Sequence, residues 1–262
     1  MTRRAFETGL LASALLPQAR AVAQQPNGLV FQLLELPSGK LTRSWPSRER
    51  GPMSFGSLLK PFLVLAYGRT HESFPVIECH GAASGCWSSK GHGRQTLAPA
   101  LANSCNTYFL ALAASIDRAA LRSTCLSFGL EEPGAGATAA ELIGLRVGWP
   151  QTPGAVVEAF HRLMESRSAK TATLVLEGMR QCAARGTASL LDIDCFAKTG
   201  TAPCHHHPSA PGDGCAVVIY PRDTPRLILL AAKHGTTGAQ TAAVAGELLR
   251  GSFRVPRRIG AA

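Results

Sequence analysis

A serine and a lysine stand three residues apart in Ser57-Leu58-Leu59-Lys60, at the start of an apolar run. On a helix, residues at that spacing share a face, so the Lys60 amine can reach the Ser57 hydroxyl. A hydroxyl is a poor nucleophile until an adjacent base takes its proton. Lysine is such a base when burial and a second cation lower its pKa. A helix N-terminus adds unpaired backbone N–H groups and a dipole that favours a developing anion. Pro61 falls in the first turn, where its missing N–H costs little. Alone this spacing is common and specifies little.

Two later clusters offer the complementary groups. Ser104-Cys105-Asn106 supplies a hydroxyl to relay a proton and an amide two residues on to hold a peptide backbone. Taken alone, such a run is also an ordinary turn or capping device. Lys198-Thr199-Gly200-Thr201 supplies a cation for a substrate carboxylate and two hydroxyls. Gly200 has no Cβ, so a substrate can approach the backbone there and pair with an edge strand. Together these groups fit acyl transfer through a serine ester.

The elements that must position them follow from periodicity and turn residues. Residues 28–36 and 41–45 read as a hairpin around Pro37-Ser38-Gly39-Lys40. Residues 57–67 read as a helix, and 71–93 as a Gly-, Ser- and Cys-rich loop. Residues 97–114 read as a helix broken near Asn103-Ser104. Further helices are expected over 117–128, 152–164, 169–184 and 237–250, with Asp117 as a cap and Gly129 as a stop. Strands are expected over 193–202, 215–220 and 226–233. Strands at both chain ends enclosing a helical middle predict an α+β fold. One antiparallel sheet is built from the two termini and flanked by helices, with an all-helical subdomain inserted between its halves.

The 262 residues are 45% hydrophobic and 17% charged, which suits a folded globular chain. A formal net charge of +10 invites an acidic partner. Nucleic acid is excluded as the expectation: the arginines are scattered, only three Tyr and three Trp could stack, and no basic helix or finger motif occurs. Residues 1–23 read as an export signal: Arg3 and Arg4, a short apolar run over 9–16, and Ala21-Val22-Ala23 as a small-x-small cleavage site. The Arg pair fits either a general secretory or a twin-arginine route. No later segment is apolar enough to span a bilayer, so no transmembrane anchor is expected in the mature chain, residues 24–262.

Eight cysteines fit an oxidising compartment. Cys79 with Cys86, and Cys204 with Cys215, are candidate disulfides, although pairing is not fixed by sequence. Cys204, His205, His206, His207 and Cys215 are also candidate metal ligands. Adjacent histidines seldom point to one centre, so neither metal nor cofactor is expected. His92 is expected in a turn between Gly91 and Gly93. Trp87 and Trp149 are expected to be packing residues.

The ordered set S-x-x-K, S-x-N and K-T-G, on a helix start, an inter-helix loop and a late strand, resembles the signature of penicillin-binding proteins and serine β-lactamases. The likeness extends to Cys79-His80-Gly81, Cys86-Trp87, His92-Gly93 and the run 97–109 around the second motif. It also takes in Thr152-Pro153, Gly186-Thr187-Ala188 and the hairpin 214–230, and so spans about residues 28–249. The resemblance implies a penicillin-binding transpeptidase domain in the periplasm or extracytoplasmic envelope, with peptidoglycan stem peptides and β-lactam antibiotics as its partners.

By that resemblance Ser57 attacks a D-Ala-D-Ala carbonyl and Lys60 takes its proton. Ser104, near Lys198, passes a proton to the departing amine. Asn106 orients the substrate amide, while Lys198, Thr199 and Thr201 hold the carboxylate. The backbone N–H groups of Ser57 and Thr201 form the oxyanion hole. Alternatives are a D,D-carboxypeptidase, a β-lactamase-type hydrolase and a catalytically weak scaffold of the same fold. Where the family places a glutamine and an aromatic-rich strand after its third motif, this chain has Ala202-Pro203-Cys204-His205, which implies a reduced groove.

Overall fold

The structure is a computed structural model and describes residues 28–204 and 209–258. Five strands form one antiparallel sheet: β1 (Val30–Glu35), β2 (Lys40–Arg43), β5 (Phe196–Ala202), β6 (Asp213–Tyr220) and β7 (Leu227–Lys233), in the order β2-β1-β7-β6-β5. The first hairpin thus adds to the outside of the C-terminal one, with Leu33 opposite Leu229 across β1 and β7. This is the sheet from both chain ends that the sequence predicts. β5 is left at the edge, with one flank of backbone unpaired.

The sheet is buried on both faces, so its central strands read as continuous apolar runs (VVIY, LILLAA) rather than as alternation. On β6, Cys215, Val217 and Ile219 enter the larger core with the helical subdomain. Ala216 and Val218 enter a second core with α8 (Gly238–Phe253) and the end of α7 (Lys170–Arg185).

Between β2 and β5 lie α1 (Lys60–Tyr67), α2 (Leu97–Ala102), α3 (Asn106–Ala114), α4 (Arg118–Phe128), α5 (Ala139–Leu142), α6 (Pro153–Glu165) and α7. α1 is buried throughout, with Phe62 packed on Phe128 and Phe160 at ring distances of 5.5 and 5.2 Å. It is the central rod of the subdomain, and its N-terminal end carries Lys60. α2 packs on α7, and α7 on β5, which ties the helices to the edge strand. Caps fall where turn chemistry places them: Asp117 Oδ1 accepts from the Ala120 N–H at 2.6 Å, and Gly129 ends α4 at φ 69°.

The expected loop over 71–93 departs from the prediction. β3 (Ile77–Cys79) and β4 (Gly93–Gln95) pair antiparallel as a small second sheet. Three residues per strand give too short a run for periodicity to signal. The export-signal reading of residues 1–23 and the His205-His206-His207 run lie outside the described residues. Among the described residues, no helix is long and apolar enough to cross a membrane.

Candidate active site

Ser57 sits in a 3₁₀ turn, Gly56–Leu59, that leads directly into α1. The edge strand β5 lies against this turn. A Cβ on Gly200 would stand 2.1 Å from the Phe55 carbonyl oxygen. Glycine therefore serves here to let the third motif pack on the turn that carries the serine.

Lys60 is fully buried. Its Nζ donates to Asn106 Oδ1 at 2.7 Å and to the Ser104 carbonyl at 3.0 Å, and lies 3.5 Å from Ser104 Oγ. The ring of Phe109 is 5.0 Å away. Burial, and then the charge of Lys198, push the Lys60 pKa well below the ordinary lysine range. Among the described residues none of its hydrogen bonds goes to Ser57. Catalytic contacts of this kind commonly tighten only when substrate is bound.

Ser104 and Asn106 come from the break between α2 and α3 that the sequence predicts. Ser104 adopts φ 51°, a left-handed conformation that a non-glycine residue keeps only when its surroundings fix it. Lys198 fixes it: fully buried on β5, its Nζ donates to Ser104 Oγ at 2.9 Å and to the Thr199 carbonyl at 2.8 Å. Burial brings the Lys198 pKa down to about 8. Thr199 is bonded in turn to Thr187 at 2.5 Å, and Thr201 Oγ1 accepts from the Gly238 N–H at 2.9 Å.

All three motifs thus converge. Ser57, Ser104, Asn106, Thr199, Gly200 and Thr201 line one cleft of about 350 Å³, with both lysines beneath it. A larger cavity of about 670 Å³ lies between Trp45, Met53 and Pro203 and contains none of these residues. Leu145, Thr237 and Ala239, which the sequence does not single out, also line the cleft wall. They carry no chemistry that a linear pattern could flag. Trp149 packs as expected, at 4% exposure, but Trp87 does not. It is 60% exposed on the cleft rim, with its indole N–H on the Asn103 carbonyl at 3.1 Å.

The cysteines correct two expectations. All eight are free thiols. Gly200, not Cys204, faces Cys215 across the sheet, and Cys204 lies four residues further along. Two residues of strand already carry a chain about 6.6 Å, the limit a disulfide tolerates being about 7 Å between Cα atoms. Cys79 and Cys86 both turn toward His92 Nδ1, at 3.6 and 3.4 Å, instead of bonding each other. Cys105 completes the group, its Sγ 4.0 Å from that of Cys86. The four donor atoms lie within 4.8 Å of one another, and all but His92 are buried. No carboxylate is among them, so the donor set fits a soft or borderline cation. Burial opposes ionisation of Cys79, yet hydrogen bonds from Thr107 and from the Gly81 and His92 N–H groups bring its thiol down to about 5. Burial pushes Cys105 up to about 12.

The fold is that of the penicillin-binding protein transpeptidase domain. A peptidoglycan glycosyltransferase from Burkholderia ambifaria superposes with a TM-score of 0.66 over 90% of this chain and 92% of its own, at 17% identity. Pseudomonas aeruginosa PBP2, in its complex with WCK 5153, gives 0.68 over 85% of this chain and 70% of its own, at 16% identity. The apo transpeptidase domain of Burkholderia pseudomallei penicillin-binding protein 3 gives 0.64 over 88% and 91%, at 15% identity. No sequence-family description and no curated protein matches the chain.

Proposed function

We propose that this chain is an exported penicillin-binding serine acyl-transferase of the D,D-transpeptidase type, acting on peptidoglycan stem peptides that end in D-Ala-D-Ala and acylated covalently by β-lactams. One observation carries the reading: two buried lysines, Lys60 and Lys198, share the hydroxyl of Ser104 beneath a cleft lined by Ser57. Two adjacent buried cations serve no packing purpose and are costly unless their chemistry is used.

In the proposed reaction Ser57 Oγ bonds to the substrate carbonyl carbon as its proton passes to neutral Lys60. Burial, and then the charge of Lys198, lower that amine's pKa and so favour the neutral form the step needs. The carbonyl oxygen takes the negative charge and is met by the backbone N–H groups of Ser57 and Thr201. Each such donor is worth roughly 10²–10³ in rate. The C–N bond then breaks. Ser104 hands its proton to the departing D-alanine amine and is re-protonated from Lys60. Asn106 holds the substrate amide, and Lys198, Thr199 and Thr201 hold its terminal carboxylate. An acceptor amine then releases the acyl group. The unpaired flank of β5 offers main-chain pairing to an extended peptide.

The test is incubation with a fluorescent penicillin, followed by mass spectrometry of the adduct. A single stable acyl group on Ser57, absent from Ser57→Ala, supports the proposal. Rapid loss of the label to water would move the assignment to a β-lactamase. A folded protein that takes no label at Ser57 would make it a scaffold.

A further inference from the structure

We propose that the C-terminal residues 254–258 are a clasp on the turn that carries Thr187, and that Arg258 is a positioning residue for the third motif, acting through Thr187 on the Thr199 hydroxyl. The clasp itself stands apart from the acylation reading above; its effect on the motif rests on that reading.

Thr187 joins the second motif to the third. Gly186 lies so close to α2 that a Cβ there would stand 2.3 Å from the Ala102 carbonyl oxygen, and the Thr187 N–H donates to that oxygen at 3.1 Å. Ala102 is two residues before Ser104. On its other side the Thr187 hydroxyl is 2.5 Å from that of Thr199, and both residues line the cleft.

The proton count gives that contact a direction. Each hydroxyl has one proton, and a carboxylate only accepts. For Thr199 to donate to a substrate carboxylate, the proton in its bond with Thr187 must come from Thr187. The Thr187 oxygen then accepts from the Cys182 thiol at 3.4 Å. A shift of Thr187 that sent its proton to the Ala102 carbonyl, 3.4 Å away, would draw the Thr199 proton inward and leave the carboxylate without it.

The far side of the same turn holds Thr187 in this setting. Beyond Thr187 the chain makes a 3₁₀ turn, Ser189–Leu191, and Asp192 takes a left-handed φ of 54° ahead of β5. The tail grips this stretch. α8 ends at Phe253, Arg254 turns left-handed at φ 53°, and Val255 is buried in the second core. That reversal brings Arg258 across the turn. Its main-chain N–H donates to the Asp192 carbonyl at 2.8 Å, and its Nη1 donates to the Ala183 and Ala184 carbonyls at 3.0 and 2.9 Å. Those carbonyls belong to the last turn of α7, where the helix itself has no donor left for them. Arg250 adds a bond to the Leu191 carbonyl at 2.5 Å. Arg258 therefore ties the helix end before Thr187 to Asp192 after it.

The test uses the full chain, with Arg258→Met removing the guanidinium while keeping an unbranched stem. Hydrogen exchange should quicken by at least about tenfold at the amides of Thr187, Leu191 and Asp192 and stay unchanged in α4. Labelling is then compared between a fluorescent penicillin and its carboxyl methyl ester, at a temperature where every variant is folded. A general loosening slows both probes alike; loss of the Thr199 donor slows only the carboxylate form. Arg258→Met should cut the preference for the carboxylate form by about tenfold, the low end for a hydrogen bond to a charged group. Thr187→Val should cut it at least as far, and the double variant no further than Thr187→Val alone, because the two act through one bond. Arg257→Met, which breaks an exposed ion pair to Asp192 at 3.7 Å, should change neither readout. Unchanged exchange in Arg258→Met overturns the clasp. Faster exchange with an unchanged preference overturns the link to Thr199. If the folded wild-type protein takes neither label, the acylation reading fails, and the exchange data still decide the clasp.

Discussion

Ser104 Oγ accepts a hydrogen bond from Lys198 Nζ at 2.9 Å while standing 3.5 Å from Lys60 Nζ, so one hydroxyl bridges the amines of the first and third motifs. Ser104→Ala removes that bridge and leaves Lys198 with the Thr199 carbonyl. In the proposed mechanism the same change removes the proton relay to the leaving group. Acylation by a fluorescent penicillin should slow by about 10²–10⁴-fold, the usual value of a positioned acid–base group. The unmet amine should lower stability by about 1–3 kcal/mol in a denaturant titration. Unchanged labelling would mean that Lys198 or water relays the proton.

A substitution far from the cleft separates folding from chemistry. Asp117 caps α4 through its bond to the Ala120 N–H. Asp117→Ala should cost about 1 kcal/mol of stability, as loss of such a cap generally does. Labelling of Ser57 at a temperature where both proteins are folded should be unchanged. A matching loss of labelling rate would show that the helical subdomain does not hold the cleft rigidly.

The fold was legible because its signals are local and repeated. Apolar runs at both ends, Gly and Pro punctuation, and the cap at Asp117 gave the hairpins and most of the helices to within a few residues. The three motifs were legible because each pairs a reactive side chain with a positioning one at fixed spacing. Their convergence depends on contacts such as Lys198 to Ser104, 94 residues apart, which spacing does not encode. The cluster of Cys79, Cys86, His92 and Cys105 escaped because its members are spread over 79–105, at the end of β3, in the turn after it, just before β4 and just before α3. The sequence drew attention instead to the contiguous histidines at 205–207, where candidate donors are dense along the chain. Trp87 looked like packing because tryptophan usually is, yet it stands exposed on the cleft rim with its indole N–H on the Asn103 carbonyl.

Gly200 has a definite steric role. Its missing Cβ is filled by the Phe55 carbonyl, and Leu58 N lies 3.1 Å from the same point. Gly200→Ala must move β5 away from the Ser57 turn. Overpacking of this kind costs about 1–3 kcal/mol, and it should widen the gap between Ser57 and the Thr201 N–H. A lower melting temperature together with labelling slowed by at least about tenfold is expected. A variant that is destabilised but labels normally would place the oxyanion hole elsewhere.

The two lysines are expected to set opposite limbs of the pH profile. Lys60 must be neutral to take the Ser57 proton, and burial, then the charge of Lys198, lowers its pKa well below the ordinary lysine range, which favours the neutral amine. Lys198 must be cationic to hold a carboxylate. Its pKa is lowered by burial to about 8, partly opposed by Cys182. Below that value its charge is present; above it the charge is lost. Acylation by a carboxylate-bearing penicillin should therefore fall as pH rises through about 8, by tenfold per pH unit once well above it. Lys198→Arg keeps its charge across this range. It should flatten the alkaline limb even if its larger head group lowers the rate overall. Stopped-flow labelling of both proteins between pH 6 and about 10 checks this. An alkaline limb that survives Lys198→Arg unchanged would assign it to a different group and remove Lys198 from carboxylate binding.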